Sequence, residues 1–158
     1  MARVSDAPVV VPVDMSAESL AAVDVALQIA NSPDRIHVLR VLHEPHSSYS
    51  DALGEAIDHS KWRNWALEEL KVSLADEKYA DVKLCVEFGD PGHRITEHAD
   101  AIRAQLIVIP SHGRRGIQRL LVGSVAERVT RLAHCPVLVL RSESFNFRSF
   151  RWALPATQ

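Results

Sequence analysis

The sequence predicts an α/β protein in which five strands alternate with four helices and wind into one parallel sheet, helices on both faces. Two observations predict it. Three short runs, Pro8 to Val13, Leu106 to Pro110 and Pro136 to Leu140, are almost wholly apolar and rich in Val, Leu and Ile, as strands covered on both faces are. Between such runs lie segments whose apolar residues recur at helical spacing, and right-handed crossovers between parallel strands then give a doubly wound, three-layer sandwich.

Each element can be justified in turn. The first strand, Pro8 to Val13, contains Pro12, which cannot donate to a central ladder; pairing is expected to loosen there and Asp14 to emerge at the tip. Leu20, Val23, Leu27 and Ala30 form the first helical stripe, stopped by Asn31, Ser32 and Pro33. Ile36 to Leu42 carries His37 and Arg40 among its aliphatics, which places it near an edge. Residues 43–59 have no strong period and read as a short helix around Ala52 to Ile57, or as a flap. Trp62, Ala66, Leu70 and Leu74 make a second stripe behind Ser60 as cap. Val82, Leu84, Val86 and Phe88 alternate with Lys83, Cys85 and Glu87, as a half-exposed edge strand does. Asp90-Pro91 sets a capping carboxylate before a proline at the first helical position, and Ile95, Ala99 and Ile102 share a face of that helix. Ser124 to Glu127 reads as a capping box for the last helix, whose stripe continues through Val125, Val129 and Leu132.

Composition narrows the function. A chain of 158 residues, 47% hydrophobic and 24% charged, has the size of one domain, and it buries roughly 70% of its unfolded surface without staples. A net charge of −2 argues against a whole-chain nucleic-acid or membrane-surface binder, which should be basic. Cys85 and Cys135 are isolated thiols, not a disulfide framework. The N-terminal stretch MARVSDAPVVVPVDMS lacks the basic start and unbroken apolar core of a signal peptide, and no apolar run approaches a membrane span. A cytoplasmic protein is expected.

In open α/β sheets ligands settle beyond the carboxyl ends of the strands, where the winding reverses. The first strand ends Pro12-Val13-Asp14 and the fourth ends Pro110-Ser111-His112-Gly113; as neighbours, both tips would open into one crevice. Past that tip, Gly123-Ser124 opens a helix whose first N–H groups and dipole favour an anion. Between residues 112 and 131 five arginines (114, 115, 119, 128 and 131) stand against one acid, Glu127. Such a loop suits a polyphosphate. The same residues have plainer readings: Gly123-Ser124 as a capped helix start, Asp14 as a cap, Gly113 and Gly116 as turn glycines.

No catalytic set emerges. There is no Gly-x-Ser-x-Gly turn. Ser111 and His112 are adjacent, and sequence neighbours seldom face each other as nucleophile and base. Pro45 interrupts the His43-Glu-Pro-His46 stretch, and no histidine pair at helical spacing has an acidic partner suited to a metal, with His98 read as a surface or packing residue. A binding module, not an enzyme, is expected.

The stretch SHGRRGIQRLLVGSVAERVTRLAHCPVLVLR, Ser111 to Arg141, resembles the C-terminal signature of the universal stress protein family. VPVDMSAESLAAVDVAL resembles that family's first strand and helix, and GDPGHRITEHADAIRAQLIVI its third helix and fourth strand. The resemblance implies a Rossmann-like sheet in the order 3-2-1-4-5, a family domain over residues 1–141 with an aromatic-rich tail over 142–158, and a homodimer paired through Val137 to Leu140. It also implies ATP, with magnesium, as ligand: members that bind it carry Gly, two residues, Gly, nine residues, Gly, then Ser or Thr. Here Gly113, Gly123 and Ser124 match, with Ser111 and His112 as spacers and Val125 following; Asp14 matches the acid that meets the ribose, beside Pro12, and Val13 and Val41 match positions near adenine. Arg114 or Arg115 is placed to assist. Pro110 stands where the first glycine should be. Its missing N–H and its ring are expected to weaken binding by about 1–3 kcal/mol, or tenfold to a hundredfold. The alternative is a dimeric stress-response scaffold that binds no nucleotide.

A separate argument favours the dimer. Val137 to Leu140 is apolar yet falls on a sheet edge, which a two-fold axis would cover. Phe145, Phe147, Phe150 and Trp152 crowd the tail, which should then pack on the body or across that dimer.

Overall fold

The computed structural model describes residues 6–44, 59–111 and 123–141. Strands β1 (Val9–Val13), β2 (Ile36–Leu42), β3 (Lys83–Phe88), β4 (Leu106–Pro110) and β5 (Val137–Leu140) form one parallel sheet in the order β3-β2-β1-β4-β5. Helices α1 (Ala17–Ile29), α2 (His59–Ser73), α3 (Pro91–Ala101) and α4 (Ser124–Leu132) connect them. The fold class and strand order are those expected from the sequence.

Two apolar layers sandwich the sheet. Val9, Val11 and Val13 of β1 pack with Ala22, Val23 and Ala26 of α1 and with Ala66 and Leu70 of α2. On the other face Val10 packs with Ile107 and Ile109 of β4, Ile95 and Ala99 of α3, and Ala126 and Val129 of α4. β1 is thus covered on both sides, which is why its sequence is apolar without alternation. Each fully buried aliphatic of this kind contributes about 1.5–3 kcal/mol.

Several local expectations change. β2 lies near the edge as expected, one strand in, but its arginine is buried and paired within the fold: Arg40, only 6% exposed, lies 2.5 Å from Glu69 of α2 and over the Trp65 ring. α2 begins at His59, so Ser60 lies inside the helix and does not cap it. Trp62 is half exposed; it borders a cleft with Leu42 and Phe88, the last residues of β2 and β3, so the stripe outruns the strands it covers. In α4 the N-cap is Gly123, with no side-chain cap, and Ser124 is already helical, which removes the capping box. The buried face of α4 is Ala126 and Val129, while Val125 points outward. Two single 3-10 turns, Pro33–Arg35 and Glu77–Tyr79, were not foreseen. The expected short helix at 52–57 and the tail from 142 onward lie outside the described residues.

Candidate functional site

β1 and β4 are neighbours, and the winding reverses between them. Their ladder registers at only two positions, Val9↔Leu106 and Val10↔Ile107, whereas β1 pairs with β2 through Val13↔Arg40. Backbone alternation explains the difference. Ile107 N–H donates to Pro136 and Ser111 N–H to Leu140, both on the β5 side, so the even residues of β4, Pro110 included, face β1. On β1, the Pro8 carbonyl accepts from Gln105, so the even residues there, Pro12 included, face β4. The next two donors the ladder needs belong to Pro12 and Pro110, and neither has an N–H. Two facing prolines therefore end the pairing and leave the carboxyl ends of β1 and β4 apart.

Asp14 sits on one lip of that opening. Its Oδ1 accepts from Ser16 N at 3.1 Å and from Ser16 Oγ at 2.6 Å, and its own N–H donates to the buried Ser19 Oγ at 3.2 Å. Ser16, not Asp14, is the N-cap of α1. The turn carries Met15 at φ 68, a left-handed conformation that costs a non-glycine residue about 1 kcal/mol. These contacts fix a partly buried carboxylate at the strand tip.

The N-terminus of α4 forms the other lip. Gly123 N–H donates to the Ser111 carbonyl at 2.5 Å, and Glu127 N–H to the Gly123 carbonyl at 2.9 Å, so the helix starts where it is tied to the tip of β4. Among the described helices with a resolved cap, α1 and α3 have a side-chain acceptor over their first N–H groups and α4 has none. A second tie orients α4. Arg128 Nη1 reaches Asp90 Oδ2, the α3 cap, at 2.8 Å, crossing Gly92 so closely that a Cβ there would meet its Cδ at 2.4 Å. Gly92 is needed for that passage. The Asp90 carboxyl is held below the usual carboxylate range, first by the His93 N–H and then by Arg128.

The structure thus brings Pro12, Val13, Asp14, Pro110, Ser111, Gly123, Ser124 and Val125 to the carboxyl end of one seam. Val13 and Val41 do not pair: Val13 joins the α1 face and Val41 the α3 face, so their side chains cannot clasp one base together. His112, Gly113 and Arg114 lie outside the described residues. The Ser16 turn and the Arg128–Asp90 tie were missed by sequence reasoning. An Asp-x-Ser pattern before a helix could have signalled the first; a pair 38 residues apart gave no signal for the second.

A family model for the universal stress protein family matches residues 7–141. The chain belongs to the universal stress protein family. A universal stress protein of Methanocaldococcus jannaschii is 34% identical over 140 residues, covering 84% of this chain and 81% of that one. Among solved structures, the universal stress protein UspA from Lactobacillus plantarum superimposes with a TM-score of 0.63 at 25% identity, covering 86% of this chain and 98% of that one. A universal stress protein in complex with cAMP gives a TM-score of 0.55 at 26% identity, covering 87% and 98% respectively.

Proposed function

We propose that this universal stress protein binds an adenine nucleotide, ATP foremost, between the tips of β1 and β4, and that it acts as a binding module, not as an enzyme. The observation that carries this reading is the seam held open by Pro12 and Pro110 between a positioned carboxylate and a helix start with no side-chain cap. The family member solved with cAMP supports an adenine ligand for a relative of this fold. In this reading Asp14 accepts hydrogen bonds from the ribose hydroxyls, since a carboxylate already bonded to Ser16 keeps further acceptor capacity. The N–H groups of Ser124 and Val125 meet phosphate at the helix N-terminus, beside Gly123, whose own N–H is held by the Ser111 carbonyl, with Gly113 and Arg114 contributing. Val13 and Val41 would meet the adenine from different faces, Val41 through its main chain.

Pro110 supplies no donor to the crevice, so binding is weaker than a glycine there would allow. Calorimetry with Mg-ATP on the wild type and Pro110→Gly tests the reading. Binding by the wild type that tightens in the variant supports it. Binding by the variant alone makes the donor that Pro110 lacks the reason the wild type does not bind. If neither binds at millimolar nucleotide, the reading fails and the nucleotide-free scaffold stands.

The same reading includes a homodimer through β5 in the cytoplasm. β5 is an edge strand whose Val137 to Val139 are only partly covered, and both thiols are free, as suits a reducing compartment. Since the carbonyls of Pro136 and Leu140 face β4, the N–H of Val139 faces outward. Val139→Pro should leave the β4–β5 ladder intact and yield a monomer in equilibrium sedimentation; an unchanged dimer would place the interface elsewhere.

A further inference from the structure

His37 of β2, Cys85 of β3 and His98 of α3 meet on the sheet face that α3 covers, with their donor atoms within 4.8 Å of one another. His98 Nε2 stands 3.4 Å from His37 Nδ1, and Cys85 Sγ 4.0 Å from the same nitrogen. Behind them Glu87 Oε1 lies 2.7 Å from His98 Nδ1. A carboxylate in that place holds the proton on Nδ1 and leaves the Nε2 lone pair directed at the cluster, the arrangement that metal-binding histidines usually have.

We propose that His37, Cys85 and His98 form a binding site for a divalent transition-metal ion of the zinc class, with Glu87 as the residue that orients His98.

The spacing of the donor atoms suits an ion as well as a hydrogen-bonded cluster. A good N–H hydrogen bond spans roughly 2.9–3.0 Å, shorter than the 3.4 Å between these nitrogens. Two imidazole nitrogens on one tetrahedral zinc stand about 3.3 Å apart, and a nitrogen and a thiolate sulfur about 3.6 Å. The imidazoles are therefore already at ligand spacing, and the sulfur needs to close on His37 by only about half an ångström. The two rings meet edge-on, 60° apart, and do not stack. Lys83, the register partner of His37, opposes a cation; the Glu87 carboxylate and a metal-bound thiolate offset it. Nitrogen and sulfur ligands select zinc-like ions over magnesium or calcium. Three protein ligands on partly buried side chains leave a fourth position for water or another small ligand.

The test uses the full chain, stripped with a chelator and titrated with Co²⁺ and then Zn²⁺. The expected result is a near-ultraviolet thiolate-to-cobalt band with the visible bands of a four-coordinate ion, both displaced by one equivalent of Zn²⁺. Cys85→Ser should abolish the thiolate band. His98→Gln should weaken Zn²⁺ at least tenfold, and Glu87→Gln by about tenfold. Cys135→Ser should change nothing. Thermal unfolding of each metal-free variant checks that it folds. Absence of a thiolate band in the folded wild type, its persistence in Cys85→Ser, or its loss in Cys135→Ser would each overturn the site.

Discussion

Two seams of one sheet behave differently. Between β2 and β3 the ladder registers without a break from His37↔Lys83 to Leu42↔Phe88, and Gly89 N–H adds a bond to the Leu42 carbonyl at 2.9 Å. Between β1 and β4 it stops after Val10↔Ile107. Both seams are parallel, and the β1–β4 pair is the more deeply buried of the two. The difference lies in two missing donors: a parallel ladder closes wherever N–H and carbonyl can meet, and it stays open where two prolines face each other. A binding crevice here is made by omission, at the point where the winding already reverses.

The largest effect expected concerns the packing beneath the open seam. Ile107 is fully buried at its last closed position, so Ile107→Ala should cost about 2–5 kcal/mol in urea unfolding. A loss under 1 kcal/mol would mean that the opening already relaxes the core below it. Next comes Pro110→Gly. Pro12 still withholds the ladder bond that comes first, so the seam stays open and the restored N–H at position 110 is left for the nucleotide. Its affinity should rise tenfold to a hundredfold in calorimetry, worth about 1–3 kcal/mol.

Pro12→Val works in the opposite direction. The new N–H faces the Val108 carbonyl and should extend the ladder by one bond, adding about 0.5–1.5 kcal/mol to stability while weakening nucleotide. Slow exchange of that new amide, read by NMR, checks the closure directly. Unchanged stability and a fast-exchanging amide would show that something other than the prolines parts the strands.

The smallest effect is at Asp90, which ties α3 to α4. Its folded pKa is lowered, chiefly by the His93 N–H, so its contribution is present above the ordinary carboxylate pKa of about 3.9 and is lost as pH falls through the folded value. With the side chain 45% exposed, that contribution stays below about 1 kcal/mol. Asp90→Asn, still a competent cap, should melt slightly below the wild type at neutral pH, and the gap should close toward acid. A gap independent of pH would assign the loss to packing and not to charge.

The sheet and much of the crevice were legible because their signals are local. Unbroken Val and Ile runs mark strands covered on both faces, and Pro12 and Pro110 mark where the ladder must end. Asp90-Pro91 announced its own cap, and the structure has it as read. Ser124 misled because Ser-x-x-Glu fits a capping box, while the helix start was set instead by a tertiary bond from Gly123 to Ser111. Trp62 misled because helical spacing says which face a residue shares, not whether a strand lies beneath that face. The His37, Cys85 and His98 cluster had no sequence signal, since its members are 48 and 13 residues apart and only the strand register and α3 bring them together.

A crystal structure grown with Mg-ATP tests the central claim most directly. The account predicts nucleotide density between the tips of β1 and β4, ribose hydroxyls at Asp14 and phosphates at the first N–H groups of α4, with the two strands unpaired beyond Val10 and Ile107. Density showing the Pro110 ring in the nucleoside's place, with the nucleotide bound elsewhere on the protein, would contradict it.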